Sequence, residues 1–225
     1  MYLYGAGCGT EKPTALLKSI FETFFPNATV VVKEDTYAAT YAVTTEPGIV
    51  CILGTGSNSS YFDGKDVMNG VPSLGYILMD EASGNYFGKR LIRDYYYHRM
   101  PKKMARKFET EFDLDADTIK RNIYKEDNPN TYLAHFAEFI FKNERNSYSD
   151  KVLGKGINVF FKTRILTYEK VYDVPVHFVG SIAYFARDII EKMAKKHNVT
   201  LGNIVRRPID GLIDYHRQKL LSEKV

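Results

Sequence analysis

The segment Leu53-Gly54-Thr55-Gly56-Ser57-Asn58-Ser59 lies between two runs with the composition of β-strands, Ile49–Leu53 before it and Ser60–Phe62 after it. The glycines between these runs predict a tight hairpin turn. Glycine lets the backbone come close to a ligand and can turn successive N–H groups toward an anion. The segment lacks the Gly-Lys-Ser/Thr ending and the following helix of a P-loop, so it fits neither the Walker nor the Rossmann pattern. The residues alone leave two alternatives open, a phosphate-binding turn and a hairpin without a functional role.

The residues before this hairpin alternate between strand and helix patterns. Tyr2–Cys8 is typical of a strand that runs into a Gly-rich turn, Pro13–Phe25 is an amphipathic helix, and Val30–Val32 is a short β-branched strand. Asp35 then precedes a compact helix over Tyr37–Val43. A strand-to-helix switch is a common ligand position in α/β sheets, and the Asp35 carboxylate could take a proton from a substrate hydroxyl there. The alternative role for Asp35 is a helix N-cap.

The residues after the hairpin are mostly helical in pattern. From about Ser83 to Lys170 we expect helices separated by breaks at Pro101, Asn128–Asn130 and Gly154–Gly156. One amphipathic stripe there is assigned to the hydrophobic core: Leu133, Phe136, Ala137, Ile140 and Phe141. Two further elements follow, a strand at Val176–Val179 and a helix from about Ile182 to His197.

Two other segments place small residues at the start of a helix. In Gly75–Gly84 an extended stretch leads into a helix through Asp80 and Glu81. A carboxylate beside small residues suits the hydroxyls of a polyol, although acids also stabilise a helix N-terminus without any ligand. Gly180 and Ser181 end a strand and begin a helix, so a flat base could lie against the backbone at Gly180. Close packing of a helix on a strand would also require glycine there.

Composition argues against several classes of partner. The formal net charge is +4, and acidic residues interleave with the basic ones, so we expect no nucleic-acid surface. The densest basic cluster, Lys102–Lys107, is typical of a solvated helix face. The two cysteines, Cys8 and Cys51, form no CxxC motif, and no histidine pair has metal-ligand spacing, which argues against structural zinc. Few thiols, no secretory signal and no membrane-spanning apolar run indicate a reducing cytoplasm and no membrane partner.

Taken in order, five segments resemble the sugar kinase/Hsp70/actin (ASKHA) superfamily, in its N-acetylglucosamine kinase-like branch, the BadF/BadG/BcrA/BcrD ATPase family. LGTGSNS at 53–59 is similar to the second phosphate motif, and GYILMDEASG at 75–84 to a Gly-Trp…Gly-Asp-Glu-Gly-Ser segment. FVGSIA at 178–183 resembles the adenosine motif, KEDTYAA at 33–39 the segment that supplies the catalytic aspartate, and RRPIDGL at 206–212 the closing Pro…Gly element. The second motif departs from the family pattern at three positions: Tyr76 stands for tryptophan, and Met79 and Ala82 stand for glycines.

The resemblance implies an α/β, ribonuclease H-like (actin-like ATPase) fold with a truncated first domain and a complete second domain. We expect residues 1–46 to be the remainder of the N-terminal domain, because nothing here resembles the family's first phosphate loop. Residues 47–225 would form the C-terminal nucleotide-binding domain, with a helical insertion at about 85–170.

The resemblance also implies a function, the ATP-dependent phosphorylation of an amino sugar, N-acetylglucosamine, to its 6-phosphate. ATP and Mg²⁺ would be the cofactors, with no metal held by protein side chains alone. The implied roles are catalytic base for Asp35, ATP binding for Gly54, Thr55, Gly56, Gly180 and Ser181, and sugar binding for Ser57, Asn58 and Asp80.

Two alternatives to this function stay open. One is a non-catalytic fragment that binds nucleotide or sugar, and the other is a BadF-type activator ATPase with an iron–sulfur cluster. Cys8 and Cys51 are too few cluster ligands for the second alternative unless a dimer shares the cluster. The oligomeric state is also open, and a homodimer is one of the alternatives.

Overall fold

The computed structural model describes residues 1–222, and its strands form two sheets. In the first sheet, β1 (Tyr2–Gly5) pairs in parallel with β2 (Val31–Glu34). Helix α1 (Glu11–Phe24) connects these strands, and α2 (Asp35–Tyr41) follows β2 directly. The second sheet has five strands in the order β5-β4-β3-β6-β7: β3 (Gly48–Leu53), β4 (Ser57–Phe62), β5 (Val67–Asn69), β6 (Val176–Val179) and β7 (Leu201–Val205).

The five-stranded sheet is mixed. Strand β4 pairs antiparallel with both β3 and β5, whereas β6 pairs in parallel with both β3 and β7. A helical insertion separates β5 from β6: α3 (Gly84–Tyr96), α4 (Lys102–Glu111), α5 (Ala116–Tyr124), α6 (Pro129–Lys142), α7 (Ser147–Phe160) and a π-helical turn (Phe161–Ile165). Three helices follow β6: α8 (Ser181–Phe185), α9 (Arg187–Lys196) and, after β7, α10 (Ile209–Ser222). No helix in residues 1–222 is long and apolar enough to cross a bilayer.

Strand β3 is buried on both faces, which explains its uninterrupted apolar sequence. On one face, Cys51 and Leu53 belong to the large core that the helical insertion covers. On the other face, Val50 packs in a small cluster with Ala39 of α2. Helix α2 therefore lies against the five-stranded sheet as well as beside β1 and β2. Helix α10 returns to α2 so closely that a Cβ added at Gly211 would lie 2.3 Å from the Ala42 carbonyl oxygen.

The strand at Val176–Val179, the hairpin and four of the five residues of the core stripe on α6 are confirmed, but the expected break at Gly154–Gly156 is wrong. Helix α7 runs through both glycines without interruption. A Cβ at Gly156 would lie 2.6 Å from Cε1 of Phe87, whereas a Cβ at Gly154 would have nothing within 4 Å. Gly156 therefore serves the close packing of α7 on α3 and does not end the helix.

Three other boundaries differ from the sequence-based expectation. Helix α2 begins at Asp35, two residues earlier than expected, and Glu34 is its N-cap residue. The helix expected over residues 182–197 is divided at Ala186, whose backbone leaves the helical region with φ −103° and ψ 19°. The stretch 75–78, expected to be extended, is a turn.

The two glycines of α7 allow a matched test of this packing. We expect Gly156→Ala to lower the free energy of unfolding by about 1–3 kcal/mol, because the buried Phe87 ring has no room to move. Gly154→Ala adds a helix-favouring residue in open space and should raise the same free energy by about 0.5–1 kcal/mol. Urea unfolding of both variants measures the difference. Changes of the same sign in both would contradict the packing role of Gly156.

Candidate functional site

The hairpin turn Gly54–Gly56 is held by the first residues of α3. Within the turn, the Gly54 N–H donates to the Gly56 carbonyl at 3.0 Å. From α3, the Gly84 N–H donates to the Gly54 carbonyl at 2.7 Å, and the Asn85 N–H donates to the Thr55 carbonyl at 3.0 Å. These N–H groups lie at the start of a helix, where they have no partner within the helix itself. The hairpin and α3 therefore satisfy each other's backbone groups and form one rigid unit.

Gly180 packs against the same hairpin at the end of β6. Its φ of +122° is a conformation that residues with a side chain rarely adopt. A Cβ added there would lie 2.2 Å from the Leu53 carbonyl oxygen, and the Gly180 N–H donates to the Val205 carbonyl at 2.9 Å. Since α8 begins at the next residue, Ser181, glycine at this position brings α8 close to the hairpin.

A cleft of about 780 Å³ opens between the hairpin, α6 and α8, and its volume is in the range of small-molecule sites. Three of the residues predicted to bind ATP line it: Gly54, Thr55 and Ser181. Further side chains that line it were not predicted as site residues: His135, Glu138, Phe141, Lys142, Phe185 and Arg206.

One wall of this cleft is aromatic and basic. The Arg206 guanidinium lies over the Phe185 ring, 4.9 Å from its centroid, and the Phe141 ring centroid is 5.6 Å from that of Phe185. Phe141 was expected to be a core residue, but it is only partly buried and contributes to the cleft. Arg206 begins the RRPIDGL segment, but no local motif marks Phe141 or Phe185, because α6, α8 and the end of β7 form the wall only when the chain is folded.

Asp80 lies at the other end of the hairpin. It is 7% exposed, and a Cβ added at Gly56 would lie 2.9 Å from its Oδ2 atom. Asp80 and Ala82 have left-handed backbone conformations, with φ of 68° and 59°. Such conformations cost free energy in residues other than glycine and persist only where surrounding contacts impose them.

Asn85 connects Asp80 to the hairpin and was not predicted as a site residue. Its Nδ2 donates to Asp80 Oδ2 at 2.9 Å and to the Thr55 carbonyl at 2.8 Å. Asparagine in the first turn of a helix gives no sequence signal of this role. The Oδ1 of Asn85 and the Oγ of Ser57 are buried and have no hydrogen-bond partner among residues 1–222. Unsatisfied buried polar atoms are unfavourable, but Ser60 Oγ and His177 Nε2 are also buried without a partner among the same residues, outside the hairpin turn, so this feature alone does not locate a ligand.

Ser57 and Asn58 are neighbours on β4 and therefore project to opposite faces of the sheet. Ser57 lies on the face covered by the helical insertion, as Ser59 does through its hydroxyl contact with Tyr168 at 3.1 Å. Asn58 pairs with Ile52 of β3, on the face covered by α2. The two residues predicted to share a sugar thus approach the hairpin from different sides.

Asp35 begins α2 and is partly buried. Burial raises the pKa of its carboxyl above the usual range, and the negative charge of Glu34 adds to this effect. Hydrogen bonds from the backbone N–H groups of Thr36 and of Asp35 itself act in the opposite direction. No hydrogen bond within residues 1–222 joins the Asp35 side chain to the hairpin or to Asp80. The structure therefore gathers the predicted ATP residues and Asp80 around one hairpin, whereas Asp35 belongs to α2.

Neither a family model nor a curated protein sequence matches this chain. Among solved structures, the "Putative N-acetylglucosamine Kinase" from Porphyromonas gingivalis is 34% identical and superposes with a TM-score of 0.90, covering 96% of this chain and 77% of its own. The "Putative N-acetylglucosamine Kinase" from Chromobacterium violaceum is 17% identical, with a TM-score of 0.63 and coverage of 88% and 71%.

A third neighbour is a ROK family glucokinase from Streptomyces griseus, solved with glucose and AMPPNP. It is 15% identical, with a TM-score of 0.50 and coverage of 88% of this chain and 70% of its own. At these identities the second and third structures show the fold alone, which is the actin-like α/β fold of sugar kinases. Because the Porphyromonas gingivalis protein is similar over most of both chains, this chain belongs to the family of that protein.

Proposed function

We propose that this protein contributes the nucleotide and sugar sites of an ATP-dependent sugar kinase of the BadF/BcrA branch, and that its substrate is N-acetylglucosamine, phosphorylated at the 6-hydroxyl. One observation carries the proposal. The hairpin Gly54–Gly56 borders the 780 Å³ cleft at one end and contacts Asp80 at the other. A nucleotide in the cleft and a polyol on Asp80 would therefore meet at the hairpin. The similarity to the Porphyromonas gingivalis protein and the AMPPNP bound to the Streptomyces griseus enzyme support this assignment.

In this proposal the cleft holds ATP. The backbone of Gly54, Thr55 and Gly56 binds the phosphates, as closely approaching glycine-rich turns can. The adenosine lies at Gly180 and Ser181. Ser181 lines the cleft beside Phe185, and Gly180 contributes by packing the start of α8 against the Leu53 carbonyl of the hairpin.

The sugar lies at the Asp80 end of the hairpin. The Asp80 carboxylate accepts hydrogen bonds from sugar hydroxyls, and the free Ser57 Oγ provides a further polar contact from the same face. Asn58 would provide a polar contact to the sugar from the other face of the sheet, which α2 covers. Asn85 holds the Asp80 carboxylate and the Thr55 carbonyl in a fixed relation, so the sugar and the phosphates keep one geometry.

Asp35 acts as the catalytic base. The proton of the sugar 6-hydroxyl passes to the Asp35 carboxylate while the oxygen attacks the γ-phosphorus, and the bond to the β,γ-bridging oxygen breaks to release ADP. A raised pKa makes this carboxylate a better proton acceptor than an ordinary aspartate. Because the transition state of phosphoryl transfer is loose, positioning matters more than base strength.

Asp35 and the hairpin belong to the two parts that we propose as domains, residues 1–46 and 47–225. The connection at residues 44–48 would act as a hinge. Because α2 already packs on Val50 of β3, closure would adjust that contact while it brings Asp35 toward the sugar. Closure of this kind excludes water, which otherwise competes with the sugar as phosphoryl acceptor.

Mg²⁺ would enter with the nucleotide. The described residues contain no group of three histidine, cysteine or acidic side chains placed to hold a metal ion. Kinases commonly hold Mg²⁺ through the substrate phosphates, water and one or two carboxylates, and Asp80 is the carboxylate that adjoins the hairpin. The ion would neutralise negative charge on the phosphates.

The placement of the thiols favours a kinase over an activator with an iron–sulfur cluster. Cys8 is buried beside Val30 and Val32 near the first sheet, whereas Cys51 is fully buried in the core of the second sheet. Burial also raises the pKa of the Cys51 thiol, which disfavours the thiolate that a cluster needs.

The proposed base is tested by Asp35→Asn. We expect the rate of sugar-dependent ADP formation to fall by a factor of about 10² to 10⁴, the usual contribution of a general base, while calorimetry detects unchanged sugar binding. Asp117→Asn, at an exposed position on α5, is the control and should keep the parent rate. Because the raised pKa means that folding disfavours the ionised carboxylate, Asp35→Asn should also raise the free energy of unfolding at pH 7.

A variant that keeps the parent rate would refute the role of Asp35, and a parent protein that binds both ligands without turnover would favour the non-catalytic alternative.

The pH dependence tests the influence of Glu34 on the base. Asp35 must be ionised to accept a proton, so kcat/KM should fall as the pH decreases through its raised pKa. Glu34→Gln removes the neighbouring negative charge and should move this acidic limb to lower pH. Glu46→Gln, in the turn before β3, should leave the profile unchanged. A limb that does not move in Glu34→Gln would show that another group controls it.

Asn85→Ala tests the connection between the hairpin and Asp80. Loss of both donated hydrogen bonds should raise the KM for the sugar about tenfold or more, and it should lower the free energy of unfolding by about 1–3 kcal/mol. Asn122→Ala removes a side chain that, within residues 1–222, donates only to the Thr118 carbonyl of its own helix, at 2.8 Å, and should leave the KM unchanged. Steady-state kinetics and urea unfolding report both effects. An Asn85→Ala variant with a normal KM would assign Asn85 to stability alone.

A further inference from the structure

A small basic pocket lies where α3 packs on α7, at the end of α3 farthest from the hairpin. Its volume is about 200 Å³. Four cationic side chains and a single carboxylate line it: Arg90, Arg99, Lys151, Lys155 and Asp94. From Asn85 to Asp94 the helix advances by nine residues, about 14 Å at 1.5 Å per residue. None of the residues that line the nucleotide cleft lines this pocket.

The floor of the pocket is fixed by Asp94, which is 1% exposed. Its Oδ2 accepts hydrogen bonds from Arg90 Nε at 2.8 Å and from the Tyr148 hydroxyl at 2.9 Å. Burial and the negative charge of Asp94 raise the pKa of Tyr148, so its hydroxyl stays neutral. Asp94 therefore neutralises one of the four cations and holds two of the lining side chains in place.

The other three cations have no acidic partner among the described residues. Arg99, Lys151 and Lys155 form no ion pair with any carboxylate in residues 1–222. Lys151 and Lys155 are one turn apart on the same face of α7, an arrangement of like charges that disfavours a helix. The lining residues sum to a formal charge of +3, from four cations and one carboxylate. A concave site that keeps this net positive charge after the Arg90–Asp94 ion pair is counted would be stabilised by an anion.

We propose that this pocket binds a small tetrahedral oxyanion, either inorganic phosphate or the phosphate group of a monoester. Arginine and lysine side chains together suit such a ligand, because guanidinium groups donate paired hydrogen bonds to its oxygens and ammonium groups add charge without fixed geometry. The pocket is too small to hold a whole nucleotide, whose natural place is the larger cleft. The site requires neither ATP nor turnover, so it is independent of the kinase assignment.

The test is calorimetric titration of the protein with inorganic phosphate and with glycerol phosphate, at an ionic strength kept constant with sodium chloride. We expect saturable binding of at least one of the two, and the comparison distinguishes free phosphate from a monoester. Lys155→Gln and Arg99→Gln should each weaken this binding about fivefold or more. Lys195→Gln, at an exposed position on α9, removes the same charge outside the pocket and should not change it.

Two outcomes would overturn the proposal. One is the absence of saturable binding of both ligands when ionic strength is constant. The other is binding that Lys155→Gln and Arg99→Gln leave unchanged, because the anion would then bind elsewhere, for example in the cleft. Both side chains are exposed, and urea unfolding of the variants verifies that they fold like the parent protein.

Discussion

The arrangement of the site depends on backbone segments that approach each other more closely than any side chain permits. Gly180 places β6 and α8 against the hairpin, where a Cβ would lie 2.2 Å from the Leu53 carbonyl oxygen. Gly88 does the same for α3 and α6, since its Cβ would lie 1.8 Å from the Leu133 carbonyl oxygen. Because backbone atoms line both contacts, no change of rotamer can relieve them. The width of the cleft between the hairpin, α6 and α8 is therefore set by main-chain packing, which is the least deformable part of a protein interior.

Around this rigid frame the structure tolerates several unfavourable local features. Asp80 and Ala82 have left-handed backbones, and the polar atoms Ser57 Oγ and Asn85 Oδ1 are buried without partners among the described residues. The desolvated carboxyl of Asp35 is a further cost. Except for Asn85, which directly follows the 75–84 segment, these residues occur in the segments that the family resemblance assigns to substrate, and strain and unsatisfied groups commonly concentrate at functional sites. The extensive core between the sheet and the helical insertion offsets these costs.

Local pattern was enough to predict the elements whose signal is contained in one segment. Apolar runs located β3 and β6, and the helical period of α6 located its core face. Tertiary contacts decided the rest. The glycine pair in α7 predicts a break, but the helix continues because Gly156 packs on Phe87. A local sequence pattern does not distinguish a glycine that ends a helix from a glycine that allows close packing. The Phe185 wall and the Asn85 bridge were missed for the same reason, since each joins residues from separate elements. Likewise, the family resemblance placed Asp35 and Asp80 in one site, whereas in the structure no hydrogen bond joins their side chains within residues 1–222.

The position of Asp80 is controlled from a segment more than eighty residues further along the chain. Arg164, in the π-helical turn after α7, is 1% exposed, and its guanidinium donates to the Val71 carbonyl at 2.7 Å and to the Met79 sulfur at 3.2 Å. A buried arginine is costly, and here the segment that leads from β5 to Asp80 supplies its partners in place of a carboxylate. Tyr168 adds a contact of 3.1 Å with Ser59 on β4. Both ends of the segment that presents Asp80 are thereby tied to the C-terminal end of the helical insertion. The insertion thus does more than cover the sheet, because it holds the proposed sugar-binding carboxylate in its strained conformation beside the hairpin.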